Sequence, residues 1–120
     1  MKPPMNSGDI AWSKKTKKIK GVKHTAVLVS HVFGSGWSTW NQNFASFLMF
    51  DKGIVERVLR GDKDEISVYV KEKVGSEYIF FGGLDDLDVE WIPEGVRFVI
   101  EEYDGSESLV RYDDVEFFTA

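Results

Sequence analysis

The 120-residue chain contains no cysteine, only two histidines and three prolines, and no long hydrophobic run. The absence of cysteine excludes a disulfide framework, a thiolate zinc site and a cysteine nucleophile. The longest apolar stretches, at 26–33 and 44–50, are too short for a membrane helix, which needs ~20 apolar residues. The lysines near the N-terminus are not followed by the apolar segment of a secretory signal. We therefore expect a cytoplasmic protein with no membrane association, no cofactor and no metal.

Charge is distributed unevenly along the chain. Residues 1–31 contain seven lysines and one acidic residue, a net charge of +6, whereas residues 32–120 carry a net charge of −11. Residues 1–10 are rich in Pro, Gly, Asn and Ser, which indicates poor order. We predict a flexible basic arm at 1–20, dispensable for folding, and a single α+β domain at 21–120. Because the acidic body would repel a polyanion, we do not expect direct nucleic-acid binding.

Hydrophobic periodicity predicts an α+β fold that is mainly an antiparallel sheet of about five or six strands, with a partly open barrel as a variant and one or two helices on one face. The run from Thr25 to Phe33 is apolar on both faces and is typical of a buried central strand. The best helical region is 42–60, with Asn41 and Asp51 as N-caps. Further strands are predicted at 65–73, 77–81 and 87–92, from Val96 onward, and at 109–112, with Asp104-Gly105 as a hairpin turn.

The segment between the first strand and the helical region, Gly34-Ser35-Gly36-Trp37-Ser38-Thr39-Trp40-Asn41, is the most distinctive part of the sequence. Its glycines can expose backbone N–H groups, and its hydroxyls add further donors. These features suit a bound anion or phosphate at a helix N-terminus. The alternative is a structural turn whose tryptophans cover the core. If the loop is a recognition site, we expect Trp37 to be exposed and Trp40 to be buried against Phe44.

A binding site at this loop has six candidate residues, which are Gly34, Gly36, Trp37, Ser38, Thr39 and His31. His31 lies in the predicted buried strand and is either a hydrogen-bonded core histidine or within reach of a ligand in the loop. A second polar cluster, formed by Glu101, Glu102, Asp104 and Glu107, is predicted to be a rim of solvated charge on a hairpin. We identify no catalytic residues, so the sequence favours a binding protein over an enzyme.

Two motifs resemble those of small, uncharacterised proteins encoded by phages and prophages. In that group a Gly-x-Gly-Trp-Ser-Thr-Trp loop follows the first strand, as at 34–40 here, and a Glu-Tyr-Asp-Gly-Ser-Glu turn comes near the end, as at 102–107. The resemblance covers roughly residues 25–112. It implies a small accessory protein that binds and inhibits host machinery, including defence systems.

Two function classes follow from these observations. The first is an acidic inhibitor that binds a host protein, a defence or nucleic-acid-processing component, through acidic surface and exposed aromatic rings. The second is the binding or turnover of a small phosphorylated, nucleotide-like ligand at the loop from Gly34 to Asn41. The sequence favours the first class and does not indicate the oligomeric state.

Overall fold

The computed structural model describes residues 3–34, 36–75, 79–114 and 119–120. In these residues it contains three α-helices, α1 (Ala45–Phe50), α2 (Lys52–Arg60) and α3 (Lys63–Val74). The strands are β1 (Thr16–Ile19), β2 (Val22–Ser30), β3 (Leu87–Pro93), β4 (Phe98–Tyr103) and β5 (Ser106–Arg111). Short 3-10 helices lie at Ser7–Asp9, Gln42–Phe44, Leu84–Asp86 and Tyr112–Asp114.

The strands of the described residues form two antiparallel sheets, one of order β1-β2-β3 and one formed by β4 and β5. The α+β class is therefore confirmed, with no closed barrel among the described residues. The second half of β2, from Ala26 to Ser30, is fully buried on both faces, as its apolar sequence predicted. β2 is the central strand of its sheet, since β1 pairs with its first residues and β3 with residues 24–30.

The hairpin of β4 and β5 turns at Asp104-Gly105, both with positive φ, as the sequence predicted. A second two-residue turn, Lys20-Gly21, also has positive φ at both residues and joins β1 to β2. Strand β1 was missed because it is lysine-rich, and lysine is the residue with which edge strands discourage pairing with other chains. Two of the lysines of the predicted arm, Lys17 and Lys18, thus lie in the edge strand of a sheet.

The N-terminal segment makes contacts with the body of the domain. Ile10 lies in the core, and the ring of Trp12 stacks on Phe50 with the centroids 6.2 Å apart. The Ser7 hydroxyl oxygen accepts a hydrogen bond from the Phe47 N–H in the first turn of α1, at 3.1 Å. Since β1 also pairs with β2, residues on both sides of the predicted boundary between 20 and 21 pack together. The flexibility of residues 1–20 in solution stays a prediction.

The helical region predicted at 42–60 is divided between a 3-10 turn, α1 and α2. The carboxylate of Asp51 caps α2 by accepting from the Ile54 N–H at 3.2 Å, and α2 ends at Gly61 in the left-handed conformation, both as predicted. Tyr69 of α3 donates to the same carboxylate at 2.7 Å. Burial and this hydrogen bond raise the pKa of Tyr69, so its hydroxyl remains a donor that ties α3 to α2.

The strand predicted at 65–73 is wrong, because these residues form α3. Ile66, Val70 and Val74 are buried and recur every four residues, which is the spacing of one helix face. Val68, assigned to the same face as Ile66 and Val70, is exposed. Of the strand predicted at 77–81, residues 77 and 78 lie outside the described residues, and residues 79–81 form no strand.

The main core lies between the helices and one face of β2. It is built from aliphatic and aromatic side chains that are almost completely buried. They include Ala26, Leu28, Trp37, Phe47, Leu48, Ile54, Val55, Ile66, Val70 and Val74. Trp37 is the largest of the fully buried side chains, so the loop after β2 contributes directly to this core.

Candidate functional site

The loop that follows β2 surrounds a buried carboxylate from the chain itself. Glu107 of β5 is 0% exposed, and its side chain enters the loop. One carboxylate oxygen, Oε1, accepts from the Ser30 N–H at 3.0 Å. The other, Oε2, accepts from the Trp37 N–H at 2.8 Å, and from the N–H and hydroxyl of Thr39 at 3.0 and 2.5 Å. The prediction of a solvated Glu107 is therefore wrong.

These four donors compensate the loss of hydration of the carboxylate. A buried charge is tolerated only when hydrogen bonds replace the water that it loses. The backbone N–H groups and the hydroxyl that suggested an anion site in the sequence are directed to Glu107. The two motifs of the resemblance, the loop at 34–40 and the turn at 102–107, are thus in direct contact.

Glycine is required at two positions of the loop for different reasons. Gly34 has φ of 103°, and its N–H donates to the Asp104 carbonyl at 2.6 Å. At Gly36, a Cβ atom would lie 2.7 Å from the Thr39 hydroxyl and 3.2 Å from Glu107 Oε2. Any side chain at Gly36 would therefore displace the groups that hold the carboxylate.

The two tryptophans of the loop have the opposite of their expected environments. Trp37 is 0% exposed, and its indole N–H donates to the Leu48 carbonyl at 2.7 Å. Trp40 is 37% exposed and contacts Phe80 edge to face rather than Phe44. The assignment of Trp37 as the exposed recognition ring is therefore wrong, because the loop turns that side chain into the core.

Asn41 does not cap the following helix with its side chain. Its amide instead donates to the carbonyls of Trp37 and Phe80 at 2.8 and 3.1 Å, and its oxygen accepts from the Phe80 N–H at 2.8 Å. Ser38 is buried, and no described residue hydrogen-bonds its hydroxyl. The Asn41 side chain therefore connects the backbone of Phe80 to the loop through two hydrogen bonds.

His31 lies one residue beyond the end of β2 and is exposed, so it is not a core histidine. Its Nε2 atom is 3.6 Å from a carboxylate oxygen of Asp88, and its carbonyl accepts from the Ser106 hydroxyl at 2.8 Å. The structure thus brings His31, Gly34, Gly36 and Thr39 to the tip of the hairpin, whereas Trp37 and Ser38 face inward.

Two exposed aromatic pairs lie where the loop meets the tip of the hairpin. Phe33 and Tyr103, which are 65% and 76% exposed, contact each other edge to face at 6.2 Å. Trp40 and Phe80 form the second pair at 6.3 Å. Glu102 accepts from the Trp40 indole N–H at 2.9 Å, and Tyr103 is the next residue of β4, so its side chain points to the opposite face of the strand. We call these five residues the acidic–aromatic end.

Acidic side chains outnumber basic ones in the segments that form this end, although Lys71 of α3 lies 5.5 Å from the neighbouring ring of Phe81. Segments 31–51, 79–96 and 98–110 contain no lysine or arginine. Hydrogen bonds from the Trp40 indole and then from the Gly105 N–H lower the pKa of Glu102, so its carboxylate stays charged. The lysines of β1, Lys17 and Lys18, pair with His24 and Lys23 of β2. These positions lie about 20 Å along the strand from Ser30, where β2 ends and the loop begins.

The sequence did not identify most of this surface. Phe33 and Phe80 were assigned to strands, Tyr103 was seen only as part of a motif, and Glu102 was predicted to belong to a rim of solvated charge. The available signal was the pairing of an unusual glycine–tryptophan loop with an acidic hairpin in one sequence. That signal does not reveal which side chains turn inward.

Among the described residues, no three His, Asp or Glu side chains come together in a group that could hold a metal ion. Within the same residues, no helix has both the length and the apolar character needed to cross a membrane. Comparison with known proteins gives no match to a family model, to a curated protein or to a solved structure.

Proposed function

We propose that this chain is a protein-binding module of the phage accessory type, which inhibits a host protein by docking its acidic–aromatic end onto a basic surface of that protein. The observation that carries the proposal is the exposure of Phe33, Tyr103 and Phe80 around Glu102 at one end of the fold. Exposed aromatic rings grouped at one end of a fold are typical of binding surfaces.

Charge supports a basic partner. Residues 32–120 carry a net charge of −11, and the lysines of β1 lie away from the acidic–aromatic end, an arrangement that favours the approach of a cationic surface. Acidic proteins that mimic nucleic-acid charge act on the same principle. A host protein that processes nucleic acid has the required basic surface.

Preorganisation supports rigid docking. Phe33 and Trp40 belong to the loop that Glu107 holds, and Tyr103 belongs to the hairpin that carries Glu107. Fixing the rings before binding reduces the entropy lost on association. The acidic–aromatic end is therefore suited to recognition without rearrangement.

The alternative function, binding of a small phosphorylated ligand at the loop, has no comparable support. A phosphate would have to displace Glu107 from the donors at Ser30, Trp37 and Thr39. The displaced carboxylate would then need new partners or access to water.

The proposal is tested by comparing variants in affinity capture from a bacterial lysate, with the retained proteins identified by mass spectrometry. We expect the double variant Phe33→Ser/Tyr103→Ser to lose a partner that wild type retains, while its melting temperature stays within about 3 °C of wild type. The matched control is Leu59→Ser, since Leu59 is equally apolar and is exposed on α2.

A specific partner should also be released as salt rises from about 0.1 to about 1 M, because screening weakens contacts between opposite charges. The purified partner should lose its activity when wild-type protein is added but not when the double variant is added. Equal capture by wild type and the double variant would contradict the proposal.

A further inference from the structure

The outer edge of β4 carries backbone groups that no strand of the described residues pairs with. In the two-stranded sheet, β4 pairs only with β5, and the Tyr112 N–H donates to the Arg97 carbonyl at 2.9 Å. Antiparallel pairing alternates along a strand, so Val99 and Glu101 direct their backbone groups to β5.

The intervening residues Phe98, Ile100 and Glu102 therefore direct their N–H and C=O groups away from β5. No backbone hydrogen bond within the described ranges reaches these three residues from the outer side. An edge with several unpaired donors and acceptors is a template for another strand.

This edge borders a cleft of about 600 Å³ between β4 and α1. Phe98, Val99 and Ile100 line one wall, and Ala45, Met49 and Phe50 line the other. The rings of Phe50 and Phe98 meet edge to face, with centroids 6.2 Å apart. The cleft thus combines an unpaired strand edge with an apolar wall, which is the arrangement that binds extended peptides in proteins that extend a sheet with a ligand strand.

We propose that an extended peptide segment of a partner protein adds to the outer edge of β4 as a third strand and inserts its side chains between β4 and α1. The site adjoins the acidic–aromatic end and shares Glu102 with it, but the inference rests on the unpaired backbone of β4 and does not depend on the function proposed above. The occupant is a short β-strand with apolar residues in its centre, a basic residue at one end and an acidic residue at the other.

The charges along β4 determine this order. Arg97 precedes the apolar residues at 98–100, and Glu101 and Glu102 follow them. A strand antiparallel to β4 satisfies both ends when its basic residue comes first and its acidic residue last, because opposite charges across strands are stabilising.

Amide hydrogen exchange of the full chain measures the unpaired edge directly. In the free protein we expect the amides of Phe98, Ile100 and Glu102 to exchange about tenfold or more faster than those of Val99 and Glu101, which face β5. Equal protection of both sets in a monomeric sample would overturn the proposal, because the edge would then already be covered.

The probe for binding is a blocked hexapeptide with Lys at its first position, Glu at its last and alternating Thr and Val between them, which spans the six residues from Glu102 back to Arg97. We expect its addition to slow exchange at Phe98, Ile100 and Glu102 by about tenfold or more, with no change at Gly34 or Thr39. The matched control for charge order is the peptide with Lys and Glu interchanged. It should bind more weakly, because an antiparallel arrangement would place its Glu opposite the glutamates of β4 and its Lys opposite Arg97.

Backbone pairing is separated from simple apolar contact by N-methylation of the peptide. Methylating the amides on one edge of the peptide should abolish protection, whereas methylating the amides on the opposite edge should preserve it. Equal binding of both methylated forms would overturn strand addition. If no peptide protects these amides, the proposal that a peptide occupies the edge is wrong. If protection depends only on protein concentration, the occupant is a second copy of the chain rather than a peptide.

Discussion

Replacing Glu107 by Gln changes one atom in the most constrained part of the molecule. The variant keeps the shape of the side chain but converts one acceptor oxygen into an NH₂ donor. Four donors face the carboxylate, three at Oε2 and one at Oε1. The amide oxygen can serve one of these positions only, so the Gln carbonyl should take the place of Oε2 and the NH₂ group should take that of Oε1.

The free energy of unfolding then falls for two reasons. The Gln NH₂ group faces the Ser30 N–H, and a buried donor without an acceptor costs about 1–3 kcal/mol. The three bonds at Oε2 also change from charge-assisted to neutral and lose about half of their strength. Removing a buried charge returns part of this loss, because the carboxylate no longer has to be desolvated. We expect a net decrease of about 2–4 kcal/mol for Glu107→Gln.

Urea unfolding followed by tryptophan fluorescence measures this quantity, since Trp37 lies beside Glu107 in the core. The matched control is Glu101→Gln, which makes the same change of charge at an exposed position of the paired strand. We expect the control to lie within about 0.5 kcal/mol of wild type. If Glu107→Gln is no less stable than Glu101→Gln, the carboxylate does not hold the loop and the reasoning is wrong.

Three further predictions concern the surroundings of the loop and the helices. Trp37→Ala should cost about 3–5 kcal/mol in urea unfolding and Trp40→Ala about 1 kcal/mol or less, because only Trp37 is fully buried; equal costs would contradict the assignment. Glu102 should titrate below its ordinary pKa in an NMR titration, and Trp40→Phe should move that pKa upward. Because the pKa of Glu102 is lower in the folded than in the unfolded state, the ionised Glu102 stabilises the fold at pH values above the unfolded-state pKa. This stabilisation disappears as the pH falls through the folded-state pKa. Gly53→Ala should lower the melting temperature, although helix propensity alone favours Ala by about 1 kcal/mol, since a Cβ atom at this position would overlap the Tyr69 hydroxyl, which is hydrogen-bonded to Asp51.

The sequence predicted the elements whose signals are local. The run at 25–33 identified a buried strand, although β2 spans Val22–Ser30 and residues 31–33 lie beyond its end. Asp104-Gly105 identified a hairpin turn, and Asp51 and Gly61 marked the ends of α2. Each of these signals depends on neighbouring residues only, because turn residues and caps act on the backbone next to them.

Helix α3 was missed because its apolar residues fit two periods. Ile66, Val68 and Val70 alternate as in a strand, while Ile66, Val70 and Val74 recur as in a helix. The helix satisfies the tertiary contacts, since it buries the second set against α2 and leaves Val68 in solvent. Charge gave a usable signal, with Asp64 and Glu65 in the first turn and Lys71 and Lys73 in the last.

The role of Glu107 was beyond local signals for a different reason. The residues whose N–H groups it accepts from, Ser30, Trp37 and Thr39, lie 68 to 77 positions away. An acidic residue in a polar hairpin is ordinarily solvated, and its neighbours in sequence resemble it in charge. Only the docking of the hairpin onto the loop distinguishes Glu107 from Glu101 and Glu102.

The buried carboxylate also links stability to recognition. Phe33 and Tyr103 come from different parts of the chain, and the contacts of Glu107 and the bond from Gly34 to the Asp104 carbonyl keep the loop and the hairpin together. Releasing Glu107 would leave a charge without partners and four donors without an acceptor, so partial separation is costly. The loop that carries Phe33 and the hairpin that carries Tyr103 should therefore move as one unit. A change inside the loop, such as one at Gly36, should then weaken partner binding through the positions of the exposed rings even though it touches no partner.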